Sequence, residues 1–185
     1  MKKIVTTLML CLICIGSYAE FPKGEFVQVV KGFMGAYQPK CAIATNPSTE
    51  DLYLALWTLS RAEYDKYDAE SRVLLRFNDG SKFTLPRLEG DEITQNTTWD
   101  VTPNGGSVTN YETTTRYVLD KDVIDKIVQT IGIEKIRIVF ADGVSRDYEL
   151  KGNYQKDFTA GLAKSLKAAK QEAIRIAEQG IDSDF

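Results

Sequence analysis

Two stretches in which Asp-Gly joins short runs of strand-forming residues constrain the fold of this chain more than any other feature. They span 72–85 and 135–150, with Asp-Gly at 79–80 and 142–143. Asp-Gly supplies the positive φ that a tight turn between antiparallel strands requires, so the sequence predicts two β-hairpins. Both share the pattern Phe-x-Asp-Gly, which would also fit a repeat of half a domain. Turn chemistry alone explains the shared residues and favours two similar hairpins in one sheet.

Further strands are predicted upstream of these hairpins. Residues 26–30 alternate weakly and predict an edge strand. Residues 52–59 are apolar on both faces, which predicts a central strand buried on both sides, with a buried helix as the alternative. Between them, 35–49 contains two prolines and no clear period, so we expect a loop that carries Cys41.

A third hairpin, more exposed than the others, is expected within 91–119. This stretch is polar and rich in threonine, which favours half-buried strand surfaces, and Pro-Asn-Gly-Gly interrupts it at 103–106. Trp99, Tyr111 and Tyr117 are predicted to decorate this hairpin and are the candidate ligand-binding residues. An exposed aromatic ring there would stack on a sugar or anchor a partner. The alternative is cross-strand aromatic packing, or an indole folded back onto the sheet edge.

Two amphipathic helices are predicted late in the chain. Asp120 is expected to cap a helix that ends at Gly132, and a one-sided helix is expected from about 153 to 179. Strands paired in hairpins with helices gathered late predict an α+β fold. In this fold a mainly antiparallel sheet, built from hairpins, carries two helices packed on one face.

The N-terminus has the layout of a secretory signal peptide at 1–19. Two lysines precede an apolar run, and small residues, including Ala19, stand where a signal peptidase would cut. The apolar run is shorter than the about 20 residues of a membrane-spanning helix. The residues before Cys11 and Cys14 are too large for lipid attachment. We therefore expect a single exported domain at 20–185, periplasmic or extracellular, neither lipid-anchored nor membrane-spanning after cleavage.

Composition excludes several classes of function. The chain has no histidine, and Cys41 is the one cysteine that remains after cleavage. Catalysis by Ser-His-Asp or Cys-His, a histidine-ligated zinc site and an internal disulfide are therefore excluded. The mature chain has 21 basic and 26 acidic residues, and its net charge of −5 disfavours nucleic acid as a partner. We assign no catalytic, metal-binding or cofactor-binding residue, which leaves carboxylate chemistry, lysine chemistry or no chemistry.

The densest acidic cluster, at 63–70, contains four carboxylates. Such a cluster could hold calcium or supply an acid and a base for glycoside cleavage. Its spacing lacks the alternating ligands and the central glycine of a calcium loop. We therefore expect a solvated connection between two strands. Cys41 is expected to be structural or incidental, because no histidine is present to activate its thiol and Lys40 alone would lower its pKa only weakly.

Several segments together resemble small secreted proteins of gut Bacteroidetes: 73–80, the strand residues 117–119, a short helix and 131–138. The similarity covers about residues 50–150 and rests on an Asp-Gly hairpin and an Ile-Arg-Ile strand. It implies a periplasmic or surface-exposed α+β domain. It implies no activity and transfers no site residue.

These observations favour a non-enzymatic binding or interaction module, with an unknown protein or glycan of the cell envelope as its partner. The alternative is a carboxylate-dependent hydrolase acting on an envelope polysaccharide or polymer. That reading requires two carboxylates facing each other in a cleft, about 5–10 Å apart. A weaker third hypothesis is a structural subunit that adds a strand to a partner through an edge such as 26–30.

Overall fold

The computed structural model describes residues 26–29, 39–46, 51–102 and 104–182, with the side chains of the last helix as far as 175. The predicted signal peptide lies outside these residues. Within them the chain forms nine strands and two helices. In chain order the elements are β1 (Val27–Gln28), β2 (Lys40–Thr45), β3 (Leu52–Ser60), β4 (Arg72–Phe77), β5 (Lys82–Pro86), β6 (Thr94–Val101), β7 (Ser107–Val118), α1 (Lys121–Val128), β8 (Ile133–Val139), β9 (Ser145–Glu149) and α2 (Gly152–Asp182).

Both predicted Asp-Gly hairpins are confirmed, as β4–β5 and β8–β9. The two turns share one geometry, because the N–H of Phe77 and that of Phe140 each donate to the carbonyl four residues later at 3.0 Å. Gly80 and Gly143 have φ of 83° and 76°, which a residue with a Cβ rarely adopts. β4 also pairs with β8, so the hairpins join in one four-stranded antiparallel sheet of order β5-β4-β8-β9.

A second antiparallel sheet has the order β1-β2-β3-β7-β6. Its centre is β3, which is the predicted strand and not the alternative buried helix, and which pairs with β2 and β7. β1 lies at the edge, as predicted, and pairs with β2 through two residues. The class is therefore α+β with sheets built from hairpins, as the sequence predicts, but the chain divides its strands between two sheets.

The expected loop at 35–49 is wrong for residues 40–45, which form β2. Pro39 and Pro47 flank this strand in the sequence and do not interrupt it, so they limit its length without preventing its pairing. Residues Cys41 to Ala44 are at most 3% exposed. One face of β2 belongs to the main core and the other to a small apolar cluster with residues of β3, and this burial outweighs the weak local pattern.

The two sheets meet where β5 ends. Arg87 forms an isolated bridge with Tyr117 of β7, and the N–H of Leu88 donates to the carbonyl of Arg116 at 2.8 Å. One apolar core joins both sheets and the long helix. Its members include Leu54, Leu56, Phe77, Leu85, Tyr117, Ile136, Ile138, Phe158 and Leu162.

Helix α1 begins after Asp120, but the expected side-chain cap is not formed. Asp120 has an extended backbone, with φ −72° and ψ 153°, and its side chain makes no capping hydrogen bond. Val123 and Ile127 face the core. The helix ends before the predicted Gly132, because Thr130 already takes a left-handed φ of 55°.

Helix α2 covers the part of the β2 edge that β1 leaves unpaired. The Ser165 hydroxyl accepts the N–H of Ile43 at 2.8 Å and donates to the carbonyl of the same residue at 3.0 Å. The Thr45 hydroxyl donates to the Ala169 carbonyl at 2.6 Å. A buried strand edge needs such partners, since unpaired backbone groups are costly. Neither helix, within the residues described, combines the length and apolar character needed to cross a bilayer.

Replacing Ser165 with alanine is expected to destabilise the domain by about 1–3 kcal/mol, because the N–H and the carbonyl of Ile43 would be left buried without a partner. The change is measured as the free energy of unfolding in urea. Exposed Lys164→Ala, on the same helix, is the control and should change stability by less than about 0.5 kcal/mol. Equal stabilities for the two variants would show that the edge is not held by Ser165.

Candidate functional site

The β6–β7 hairpin extends beyond the rest of its sheet. β3 ends at Ser60, which pairs with Tyr111, whereas β6 and β7 continue for four more residue pairs, from Thr98↔Asn110 to Val101↔Ser107. At about 3.3 Å per residue, this two-stranded ribbon projects about 13 Å. The third predicted hairpin is therefore confirmed, and we refer to these four pairs as the ribbon.

The turn at the end of the ribbon is ordered by hydrogen bonds. The N–H of Thr102 donates to the Gly106 carbonyl at 2.7 Å, and the N–H of Gly105 donates to the Thr102 carbonyl at 2.9 Å. The Thr102 hydroxyl accepts the N–H of Gly106 at 3.0 Å. Gly105 has a φ of 79°, as expected for the glycine pair in the sequence.

One face of the ribbon is closed by polar side chains from opposite strands. The Asn110 amide donates to Asp100 at 2.7 Å, and the Thr98 hydroxyl donates to Glu112 at 3.0 Å. Cross-strand pairs of this kind stabilise a hairpin and fix its register. This face therefore stiffens the ribbon, and its polar groups are already engaged with one another.

The opposite face of the ribbon exposes two large apolar side chains. Trp99 is 78% exposed and Val101 is 81% exposed. They are two residues apart on one strand, so they share a face. Thr109 and Ser107 stand opposite them on β7. The structure therefore places the predicted indole in solvent, with Thr109 opposite it on β7. We call this face the Trp99 surface.

At the base of the Trp99 surface lies a pair of tyrosines. Tyr111 contacts Tyr64 edge to face, with ring centroids 5.1 Å apart and an interplanar angle of 76°. The hydroxyl of Tyr64 forms a hydrogen bond with the hydroxyl of Thr97, which is the residue opposite Tyr111. Trp99 and Tyr111 are diagonal neighbours on one face, about 7–8 Å apart. Sequence analysis missed Tyr64 and Val101, although an apolar residue two positions after Trp99 was a usable signal.

Tyr117, the third predicted ligand-binding residue, is not on this surface. It is 0% exposed and belongs to the core, where burial raises its pKa far above the ordinary value for tyrosine. Tyr111 and Tyr117 are separated by an even number of positions along β7, so both rings point to the same side of the sheet. The ribbon end of that side is open, whereas the other end is covered by the second sheet.

The acidic stretch at 63–70 connects β3 and β4, as predicted, but it is solvated only in part. Asp65 and Tyr67 are 9% and 8% exposed, respectively. Tyr67 packs against Phe140 with ring centroids 5.3 Å apart, and its hydroxyl lies 3.2 Å from that of Thr58. Because Tyr67 is packed into the core, Asp65, two residues earlier, is also removed from water.

Asp65 is consequently a buried carboxylate with few partners. Its Oδ1 lies 3.5 Å from the guanidinium of Arg146, and its Oδ2 has no hydrogen-bond partner among the described residues. Burial raises the pKa of Asp65 to about 6. The nearby hydroxyl of Thr58 opposes this shift, and the charges of Glu63 and Asp142 add to it. A carboxyl group that holds its proton up to about pH 6 is able to act as a general acid in mildly acidic conditions.

Two further predictions concern Cys41 and metal binding. Cys41 is a free, buried thiol, and burial raises its pKa to about 12, so it remains protonated and unreactive. This agrees with its expected structural role. In the part of the chain that the structure describes, no group of three or more Asp, Glu, Cys or His side chains is placed to hold a metal ion.

Comparison with protein-family models, with curated proteins and with solved structures finds no match for this chain.

The stability of the domain is expected to fall, relative to an Asp65→Asn variant, as pH rises from 4 to 7. The folded state holds the Asp65 proton up to a pKa of about 6, whereas the unfolded state releases it near the ordinary value of 3.8. The folded state therefore binds more protons in this window, and raising the pH favours unfolding. Urea midpoints of both proteins at several pH values measure the difference. A difference that is independent of pH would show that Asp65 ionises normally.

Proposed function

We propose that this chain is an exported, non-enzymatic binding module of the cell envelope, and that its partner contacts the Trp99 surface. The observation that carries the proposal is the 78% exposure of Trp99 beside Val101 on a ribbon stiffened from its other face. Tryptophan is the side chain most enriched at the centres of binding interfaces. Covering a large apolar ring that is exposed to water lowers the free energy of the complex relative to the free proteins.

The rigidity of the ribbon also supports binding. Hydrogen bonds across the Asp100 face and at the Thr102 turn hold the two strands together before any partner arrives. Tyr64 and Tyr111 fix the base of the ribbon against the rest of the domain. A surface ordered in advance loses less conformational entropy on binding. The hydroxyl groups of Thr109 and Ser107 beside the indole suit a polar partner such as a glycan, whose rings stack on aromatic side chains.

The position of the helices leaves this surface accessible. As the sequence predicts, we take both helices to lie together on one side of the fold. This is supported by the contacts of α2 with β2, near one edge of the five-stranded sheet, whereas the ribbon belongs to β6 and β7 at the other edge.

The proposed location rests on the leader-like N-terminus and on the resemblance to secreted proteins described above. Export to the periplasm or the cell exterior, without a lipid anchor, would bring residues 20–185 into contact with envelope glycans and proteins. A domain in that compartment without disulfides must be stabilised by core packing. The apolar core that joins both sheets is consistent with this requirement.

Replacing Trp99 with alanine is expected to weaken binding of the partner at least about 30-fold, the effect of removing a central interface residue. The partner is sought among envelope glycans on an array and by capture from envelope extract, and its affinity is then titrated. Val144→Ala, which removes an exposed apolar side chain from the β8–β9 turn, is the matched control. If both variants bind as the parent does, the Trp99 surface is not the binding site.

The alternative function, a carboxylate-dependent hydrolase acting on an envelope polymer, is favoured by Asp65 alone. Its raised pKa and its unpartnered Oδ2 are typical of a general acid. Glu63 and Asp142 supply the other acidic charges that act on it. Release of reducing ends from envelope polysaccharides, abolished by Asp65→Asn, would establish this activity. No release by the parent protein would exclude it for those substrates.

A further inference from the structure

The outer face of the four-stranded sheet carries a row of like charges. Lys82 of β5 stands directly opposite Arg76 of β4, and Arg76 stands opposite Lys135 of β8. Residues in directly opposite positions project from the same face of a sheet. The other face, with Val73 and Leu75, belongs to the core. Three cations on adjacent strands, about 4.8 Å apart at the backbone, are therefore presented together to solvent.

This arrangement is unfavourable for the isolated fold, because like charges directly opposite one another destabilise a sheet. The structure compensates for it only in part. Arg76 pairs with Glu134, and the Lys135 ammonium lies 2.6 Å from Asp147. Lys82 is exposed and forms no ion pair with any residue that the structure describes. A local rule broken in this way is expected where a site serves binding.

A second row of residues continues the surface. Leu74 lies between Thr84 on β5 and Arg137 on β8. Arg137 forms two bonds with Asp147, at 2.5 and 2.7 Å. The same Asp147 therefore serves both Arg137 and Lys135, and their hydrogen bonds hold its pKa well below the usual range. One carboxylate thus neutralises only part of the charge of two cations.

These two rows surround a shallow cavity of about 320 Å³. Four cations line it, together with Leu74 and Thr84, and no carboxylate is among its lining residues in the described chain. The cations are Arg76, Lys82, Lys135 and Arg137. With Arg72 on the same face of β4, they form what we call the basic face. The cavity combines positive charge with an apolar side chain and a hydroxyl group, as a sugar ring bearing an anionic substituent requires.

Charge is separated across the molecule as well. The basic face has five cations and, with Glu134, Asp147 and Glu149, three acidic neighbours, whereas the rest of the chain has 18 basic and 23 acidic residues. A positive region on a chain that is otherwise negative selects anionic partners by complementarity. None of the large apolar side chains exposed in the described chain lies on this face, which disfavours insertion into a membrane.

We propose that the basic face binds an acidic polysaccharide, one that carries sulfate or carboxylate groups along its length. Successive anionic groups would bind Lys82 and Arg76, while a sugar ring lies over Leu74 and Thr84. The site belongs to a different sheet from the Trp99 surface, so the two proposals stand independently. Dextran sulfate and polygalacturonate are the probes. Neutral dextran, duplex DNA and vesicles of an anionic lipid test the competing ligand classes.

Lys82→Gln is expected to weaken binding of dextran sulfate or polygalacturonate about two- to fivefold, the effect of losing one exposed charge contact. It should also lower the slope of log affinity against log salt by about one. Because Lys82 is exposed and forms no ion pair in the described chain, the variant should fold normally. Lys82→Arg, which keeps the charge, should bind as the parent does. Lys167→Gln on α2 makes the same change of net charge at an exposed distant position and should have no effect.

Three results would overturn the proposal: no binding of either acidic polysaccharide, equal losses from Lys82→Gln and Lys167→Gln, or equal or tighter binding of DNA, lipid vesicles or neutral dextran. Trp99→Ala should retain binding to the acidic polysaccharides. Its loss there, with Lys82→Gln unaffected, would place the polysaccharide on the Trp99 surface.

Discussion

Strand β7 is the constraint on which both the core and the candidate site depend. It is 12 residues long, whereas its neighbour β3 has nine, so the two cannot match along their whole length. The shared length buries Tyr117 between the sheets, and the excess length, paired with β6, becomes the ribbon. Since side chains alternate along a strand, the phase that buries Tyr117 also fixes the side on which Trp99 emerges. A shift of register by one residue would reverse both at once.

Local chemistry made much of this fold predictable. The Asp-Gly turns identify four strands, because a tight turn with positive φ depends on its own residues and on little else. β2 was missed, since Pro39 and Pro47 suggest a loop, and its pairing with β3 depends on residues that follow it in the chain. The way in which the two sheets join depends on contacts such as that between Arg87 and Tyr117, 30 residues apart in the sequence. No local pattern reports such a contact.

The candidate site also depends on contacts between distant residues, which the sequence does not report. The sequence identifies Trp99 because its neighbours are polar. A strand that is polar on both faces offers no buried position for an indole. Tyr111 and Tyr117 have the same phase and similar surroundings in the sequence, yet one is half-buried at the base of the ribbon and the other is in the core. What distinguishes them is the second sheet, which covers one end of β7 only. Burial of Asp65 is equally non-local, since it follows from the contact of Tyr67 with Phe140.

The segment from Tyr64 to Tyr67 connects the ribbon to the four-stranded sheet. Tyr64 forms a hydrogen bond and a ring contact at the base of the ribbon. Asp65 faces Arg146, and Tyr67 packs against Phe140 near the β8–β9 turn. The carbonyl of Lys66 accepts the N–H of Ala141 at 3.0 Å, which adds a backbone link to the same turn. The segment thus contacts both sheets. The segment cannot detach from one sheet without disturbing its contacts with the other. The base of the ribbon is therefore tied to the core through this segment, and the burial of the Asp65 carboxyl group is the local cost of that connection.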